Sequence, residues 1–421
     1  MAIIELVGGI IIVLTVIAIV KGFEVRFVLL TSGTLMAAIA GNPMEAFNAF
    51  RNAMTNVALV PVITIAIGFT YILKVTGSDK HLIHVLARPL SKLQRVLIPG
   101  TIFVTAVTNI ALTPAAGVSA AVGAILIPIL INSGVHPVMA ASAVMAGTFG
   151  VSMGPGFVHS IWVAGTAEVA VMDVVSVVAP KSIVSLVVVA MSLTIISIIL
   201  KEDKGYVCTN TTYNAGPFKV NPLKAAAPLF PLVLIVFCGF SVPLAMLLGV
   251  VLATVIAWMD PQEVVRQFFC EMGRAYAELI GIIMGATVFT AGMATIGITD
   301  ALIGAMQSSG SPVTVRAAAL FVPFVLAALS GSADATIIAF NEAVTVNAHL
   351  FGTDIITLGT LASIGGLLGR TMSPVVGAAL VCVSLAKVDS SVNISPMDLT
   401  KRNCIGMGLA AVVCMIIFAR P

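Results

Sequence analysis

Charge is scarce in this chain. Only 9% of its 421 residues are Asp, Glu, Lys or Arg, 59% are hydrophobic, and the mean hydropathy is +1.13. A soluble domain carries about 25% charged residues, so too little polar surface remains to coat a water-soluble body. The bilayer must be the main solvent. Cysteine is sparse as well. Cys208, Cys238, Cys270, Cys382, Cys404 and Cys414 are scattered with no C-x-x-C pair, which speaks against a disulfide framework or a thiolate zinc site. No basic arm interleaved with aromatics offers itself to nucleic acid. No serine–histidine–acid order, phosphate-cradling loop or metal-ligand spacing suggests an enzyme. The first apolar run has no basic leader or small-residue cleavage site before it, so it reads as a retained span rather than a signal peptide.

What the chain does have is long apolar runs. At about 20 residues per spanning helix there is room for ten to twelve membrane elements. The runs are apolar on every face, unlike the short alternating strands of a β-barrel, so an all-α polytopic membrane protein is expected. Spans are predicted at 3–20, 25–40, 56–74 and 175–200, with an interfacial amphipathic segment at 43–54 and a polar connector at 76–95. Two apolar stretches are interrupted: 97–132 at Thr108-Asn109 and Thr113-Pro114, and 137–168 at residues 150–156. The most polar part, 201–222, reads as a linker.

The second half repeats this order. Spans are predicted at 225–240, 242–258, 276–296 and 404–419, with an amphipathic segment at 261–274. Interrupted stretches fall at 313–348, around Ser330-Gly331-Ser332-Ala333-Asp334, and at 355–386, around Gly369-Arg370-Thr371-Met372-Ser373-Pro374. Glu45 matches Glu263, Phe50 matches Phe268, and Met153-Gly154-Pro155 matches Met372-Ser373-Pro374, at an offset close to 219. The division expected is a first repeat at 1–200, a cytoplasmic linker at 201–222 and a second repeat at 223–421.

In each repeat the first interrupted stretch is long enough for two half-length helices, a re-entrant hairpin at 97–132 or 313–348. The second is a spanning helix broken at mid-depth. Five crossings per repeat is an odd number, so the repeats are inverted, as in many secondary transporters. The expected architecture is about ten transmembrane helices plus two hairpins and two broken helices. With both termini outside, sixteen of the 21 Lys and Arg residues fall in inside loops. Arg51, Lys181, Arg316 and Arg420 fall outside and Arg370 falls in a break, a strong positive-inside bias.

Irregular backbone at membrane depth is tolerated only inside protein or beside a wet cavity, so four matching breaks point to one central site. Half-helix N-termini there suit an anion. Thr108, Asn109, Thr113, Ser152, Ser330, Ser332, Thr336, Thr371 and Ser373 offer hydrogen bonds to carboxylate oxygens, and backbone carbonyls to sodium; the bland alternative is helix packing by small hydroxyls. Asp334 is the sharpest residue, because a charge at helix centre costs roughly 2.5–3.5 kcal/mol. It reads as a proton carrier, a sodium ligand (with Ser330 and Thr371 nearby), the partner of Arg370, or a helix cap. Arg370 reads as a bidentate carboxylate clamp, an ion-pair partner or a snorkelling cation. His159 could titrate near neutral pH, and Asn341 and Glu342 are weaker candidates, while Glu5, Glu168 and Asp173 read as interfacial. No cofactor is expected beyond a coupling ion, proton or sodium. A secondary anion carrier is the leading reading. A channel would want a filter repeated by oligomer symmetry, and a membrane enzyme would want a nucleophile or metal.

The stretch Leu368-Gly369-Arg370-Thr371-Met372-Ser373-Pro374-Val375, with Ala386-Lys387, Ile394-Ser395-Pro396 and Lys401-Arg402, resembles the DcuC-type anaerobic dicarboxylate carriers of the ion transporter superfamily. The resemblance extends through Ser330-Gly331-Ser332, Ala339-Phe340 and Thr295-Ile296-Gly297, and more weakly through Leu126-Ile127-Pro128, Gly154-Pro155, Glu168 and Asp173. It implies an inner-membrane carrier of four-carbon dicarboxylates such as succinate or fumarate, working by proton-coupled efflux or exchange. It also implies a homodimer whose hairpin tips and broken helices surround the substrate. The chain departs from the family pattern at Ala333-Asp334, Thr113-Pro114 and His159. An extra Asp beside an anion site suggests a cation there too, or a proton.

Overall fold

The computed structural model describes residues 2–56, 59–88, 96–112, 114–207, 218–301, 304, 311–387 and 393–418. Among these there is no β-strand. The first half runs α1 (Ala2–Val20), α2 (Val25–Ile39), α3 (Pro43–Met54), α4 (Val60–Val75), α5 (Ser78–Ala87), α6 (Leu97–Ala111), α7 (Ala115–Asn132), α8 (Pro137–Gly147, tightening into a 3-10 turn, Thr148–Met153), α9 (Val158–Ala167) and α10 (Val171–Ile199). The second runs α11 (Pro222–Ala226), α12 (Phe230–Cys238), α13 (Val242–Ala257), α14 (Pro261–Ala275), α15 (Gly281–Thr295), α16 (Pro312–Ser330), α17 (Ala333–Ala343), α18 (Ile355–Met372), α19 (Gly377–Ala386) and α20 (Pro396–Phe418).

Among the described residues, seven helical stretches are each long and apolar enough to cross a bilayer, and five shorter apolar helices accompany them. The interrupted stretches break where expected, but α7 and α16, at 18 and 19 residues, are long enough to cross a bilayer rather than half-length. Helices α6 and α7 are separated by residues 112–114, and α16 and α17 by Gly331-Ser332. The break after α8 falls at Gly154-Pro155, and the break after α18 at Ser373-Pro374. A proline disfavours helical backbone in the residue before it. Gly154 (φ −82°, ψ 134°) and Ser373 (φ −72°, ψ 134°) accordingly leave their helices at nearly the same angles.

Packing follows the same correspondence. Helix α2 lies on α15, and its counterpart α13 lies on α4; α3 lies on α15, and α14 lies on α4. Each broken helix runs along the first arm of its own hairpin, α8 on α6 and α18 on α16, and the long helices α10 and α20 pack on each other. Glycine makes these approaches close enough. A Cβ on Gly150 would strike the Ala106 backbone, and one on Gly369 would strike the Phe324 backbone.

Three further details differ from expectation. Helix α14 passes through a π-turn, Tyr276–Ile280, into α15, so the amphipathic segment and the following span form one continuous stretch. Its first-half counterpart α3 ends before α4 begins. The connector at 76–95 contains α5, bent 76° from α4. Lys181 is not a loop residue: it is buried within α10 and its Nζ donates to Thr360 Oγ1 of α18 at 3.2 Å. At the other end of α10, Glu202 holds Arg402 of α20 at 2.5 Å, and its carbonyl accepts from the His136 backbone at 2.9 Å. His136 lies in the loop before α8, and partial burial pushes its imidazole below the ordinary histidine range.

Candidate functional site

Where both hairpin tips meet both broken helices lies a cavity of about 70 Å³. A water needs roughly 10–15 Å³ of such space, so the cavity holds several waters or a ligand of few heavy atoms. The α6–α7 tip contributes Pro114 and Ala115, and the α8–α9 break contributes Val151, Gly156, Phe157 and Val158. The second half contributes Asp334 and Arg370, with Ile63 and Ile67 of α4 and Leu279 of the π-turn completing the wall. Ile67, Pro114 and Leu279 are shared with a larger cleft of about 290 Å³, whose outer part carries Lys74, Asp79, Glu271, Arg274 and Glu278.

Asp334 is the second residue of α17. The helix is capped by Ser332, whose Oγ accepts from the Ala335 backbone at 3.3 Å, so the Asp334 carboxylate is not spent on capping. It lies 2.9 Å from His159 Nε2. The two differ in access: the His159 side chain is 0% exposed and that of Asp334 is 40% exposed. The carboxylate therefore faces the cavity and the imidazole stands behind it, edge-on to Phe157 with ring centroids 4.9 Å apart. His159 Nδ1 is buried and has no hydrogen-bond partner among the described residues. A neutral imidazole donating from Nε2 to the carboxylate is thus the state these groups satisfy best, since imidazolium would bury a second, unmatched N–H.

Arg370 closes the opposite flank from the last turn of α18. Its Nη2 donates to the Thr148 carbonyl at 3.1 Å. No Arg370–Asp334 ion pair within 4.0 Å occurs among the described residues. A guanidinium has five N–H donors, so the Thr148 bond fixes its plane and leaves others for a ligand. Helices α7 and α9 begin at the cavity with no side-chain cap, which leaves first-turn N–H groups there.

The hydroxyl and amide candidates are more dispersed. Thr108, Ser330 and Thr371 donate to carbonyls one turn back, on Val104, Leu326 and Leu367. Thr336 likewise donates to the Ser332 and Ala333 carbonyls. Ser152 is fully buried against Ser182 of α10 at 2.8 Å, and Ser373 accepts from the Val375 backbone. Asn109 donates to the Leu112 carbonyl across the hairpin tip at 2.8 Å. Ser330 lines a different cavity, with Thr15, Phe289 and Met293. Thr113 lies outside the described residues. Asn341 bonds Thr345, and Glu342 accepts from the Trp162 indole at 3.0 Å. Sequence reasoning passed over Trp162. It sits three residues after His159, on the same face of α9, which was the available signal.

Helices broken around a cavity that holds one carboxylate and one guanidinium, two helical hairpins and many apolar helices of spanning length define a polytopic membrane protein of the transporter class. The family model described as the C4-dicarboxylate anaerobic carrier, DcuC, matches residues 5–419. The chain belongs to that family. It is 22% identical over 455 residues to the anaerobic C4-dicarboxylate transporter DcuC of Escherichia coli K12, covering 98% of this chain and 96% of that one. It is 34% identical over 277 residues to a putative uncharacterized transporter of Haemophilus influenzae Rd, covering 61% of this chain and 96% of that protein. Its fold is similar to the YdaH transporter of Alcanivorax borkumensis, at TM-score 0.59 and 14% identity over 89% of each chain.

Proposed function

We propose that this protein is a proton-coupled secondary carrier of small carboxylates, including four-carbon dicarboxylates such as succinate and fumarate. It would work in the cytoplasmic membrane by alternating access of two inverted repeats, with both termini outside and two copies forming a dimer. The observation that carries the reading is one cavity, at the junction of all four breaks, lined by a carboxylate paired with a histidine and by an anchored guanidinium. Arg370 and the uncapped starts of α7 and α9 suit a carboxylate. Asp334 and His159 share a hydrogen bond along which a proton can be held or released. A sodium position is less favoured. Ser330 opens on the other cavity and the Thr371 hydroxyl is occupied within its own helix. In the proposed topology the cleft carrying Lys74 and Arg274 opens to the cytoplasm, which makes this an inward-facing state.

The test is uphill uptake of labelled succinate or fumarate into proteoliposomes holding the full chain, driven by a pH gradient or by a sodium gradient. A pH gradient should drive accumulation, and Asp334→Asn should leave exchange but lose pH-driven accumulation. Accumulation driven by sodium alone would remove the proton assignment, and no carboxylate flux under any gradient would remove the carrier reading.

A further inference from the structure

The cavity is built from corresponding positions of the two halves, but its charges are not shared between them. Arg370 precedes Met372-Ser373-Pro374 as Val151 precedes Met153-Gly154-Pro155, and both line the cavity. Asp334 lies in the first turn of α17, where the first turn of α7 has Ala115 and Ala116. Both formal charges that line the cavity therefore come from the second half. The first half supplies a wall of Pro114, Ala115, Val151, Phe157 and Val158, with His159 behind Asp334.

From this asymmetry we infer that the site takes a ligand with a single negative charge. This rests on the carrier reading above and narrows it. Each break sets a helix C-terminus beside an N-terminus, so their half charges offset, and side chains fix the sum. Arg370 and Asp334 cancel, and His159 is satisfied as neutral imidazole. A monoanion accompanied by one proton on the Asp334–His159 pair leaves the loaded site neutral. A dianion leaves an unmatched charge in the cavity, facing either Asp334 or a lining without a second cation. A four-carbon dicarboxylate would thus load with one carboxyl at Arg370 and the other protonated. A monocarboxylate of similar length would load as it is.

Succinate and its monoamide have nearly the same shape and differ by one charge. Their affinities are compared by calorimetry on the purified full chain, from about pH 5 to about pH 7.5, spanning the upper side of the carboxyl range of about 4–5. The ratio of the two dissociation constants is the quantity to read. Protonation of Asp334 or His159 beside Arg370, or of Asp79, Glu271 or Glu278 beside Lys74 and Arg274 in the adjoining cleft, also favours a dianion over a monoanion as the pH falls. The ratio at neutral pH, where these groups assist succinate least, is therefore the deciding value. The monoamide should bind at least about tenfold tighter at neutral pH. Succinate should close the gap by about tenfold per unit fall in pH. A ratio near one at neutral pH, or one that favours succinate there, overturns the inference and leaves the carrier reading standing. If neither compound binds at any pH and no labelled carboxylate crosses the membrane in the proteoliposome assay, the carrier reading falls and the inference with it.

Discussion

Gly369→Ala isolates how the broken helix is held against its hairpin. A Cβ at this position would stand 2.8 Å from the Phe324 carbonyl carbon and 3.0 Å from its Cα, with the carbonyl oxygen closer still. These are backbone atoms of α16, which cannot rotate away as a side-chain tip can. Ordinary contact would require parting α18 from α16 by on the order of 1 Å. Overpacking of this kind costs about 1–3 kcal/mol. Alanine returns about 0.5–1 kcal/mol of helix propensity, so the net loss is about 1–2 kcal/mol. The control is Gly408→Ala in α20, where an added Cβ meets nothing within 4 Å, so only the propensity gain should remain. Thermal unfolding in one detergent should place Gly369→Ala about 1–2 °C below wild type and Gly408→Ala level with it or slightly above. Arg370 adjoins the displaced backbone, so succinate affinity should fall in the first variant and not in the second. Equal melting temperatures for the two variants would refute the close-packing argument.

Arg370→Lys keeps the charge but gives up the planar fork that reaches the Thr148 carbonyl and a ligand together. Carboxylate affinity should fall about tenfold, about 1.4 kcal/mol, and unchanged calorimetric affinity would return Arg370 to a structural role. Cysteines replacing the exposed Lys80 and Asn132, on either side of the first hairpin in a cysteine-free background, should both react with an impermeant maleimide from the cytoplasmic face. Labelling from opposite faces would mean that 97–132 crosses the membrane. Val151→Arg, placing a second cation opposite Arg370, should favour succinate over its monoamide relative to wild type, read as a rise in the succinate-to-monoamide affinity ratio.

Much of the backbone plan was legible because its determinants are local. Gly154-Pro155, Ser373-Pro374 and the polar residues around 331 interrupt otherwise apolar runs, and such interruptions leave few alternatives to a broken helix or a hairpin. Asp334 stood out for the same reason. Its pairing with His159 was not legible, since the two are 175 residues apart and only the packed helices bring them to 2.9 Å. The hydroxyls misled for a physical reason: a serine or threonine in a helix can satisfy itself on the carbonyl one turn back, as Thr108, Ser330 and Thr371 do. Lys181 read as a loop residue because a lone lysine near the start of an apolar run resembles a boundary. Thr360, on a distant helix, is what receives it inside. Ile63, Ile67, Val151 and Leu279 have nothing in sequence to set them apart from core residues, although together they form the apolar wall of the cavity.

The exchange of packing partners between the halves also bears on how the protein is made. Helix α4 rests on α13 and α14, and α2 rests on α15. A ribosome delivers α2 and α4 well before any of those supports exists, so these two helices reach the membrane with the faces that meet the second half bare. Neither can reach its final packing until synthesis has passed the second-half helices it rests on, residue 295 in the case of α2. Truncation upstream of that point should therefore leave a fragment that inserts but is degraded, and co-expression of 223–421 as a separate chain should rescue it.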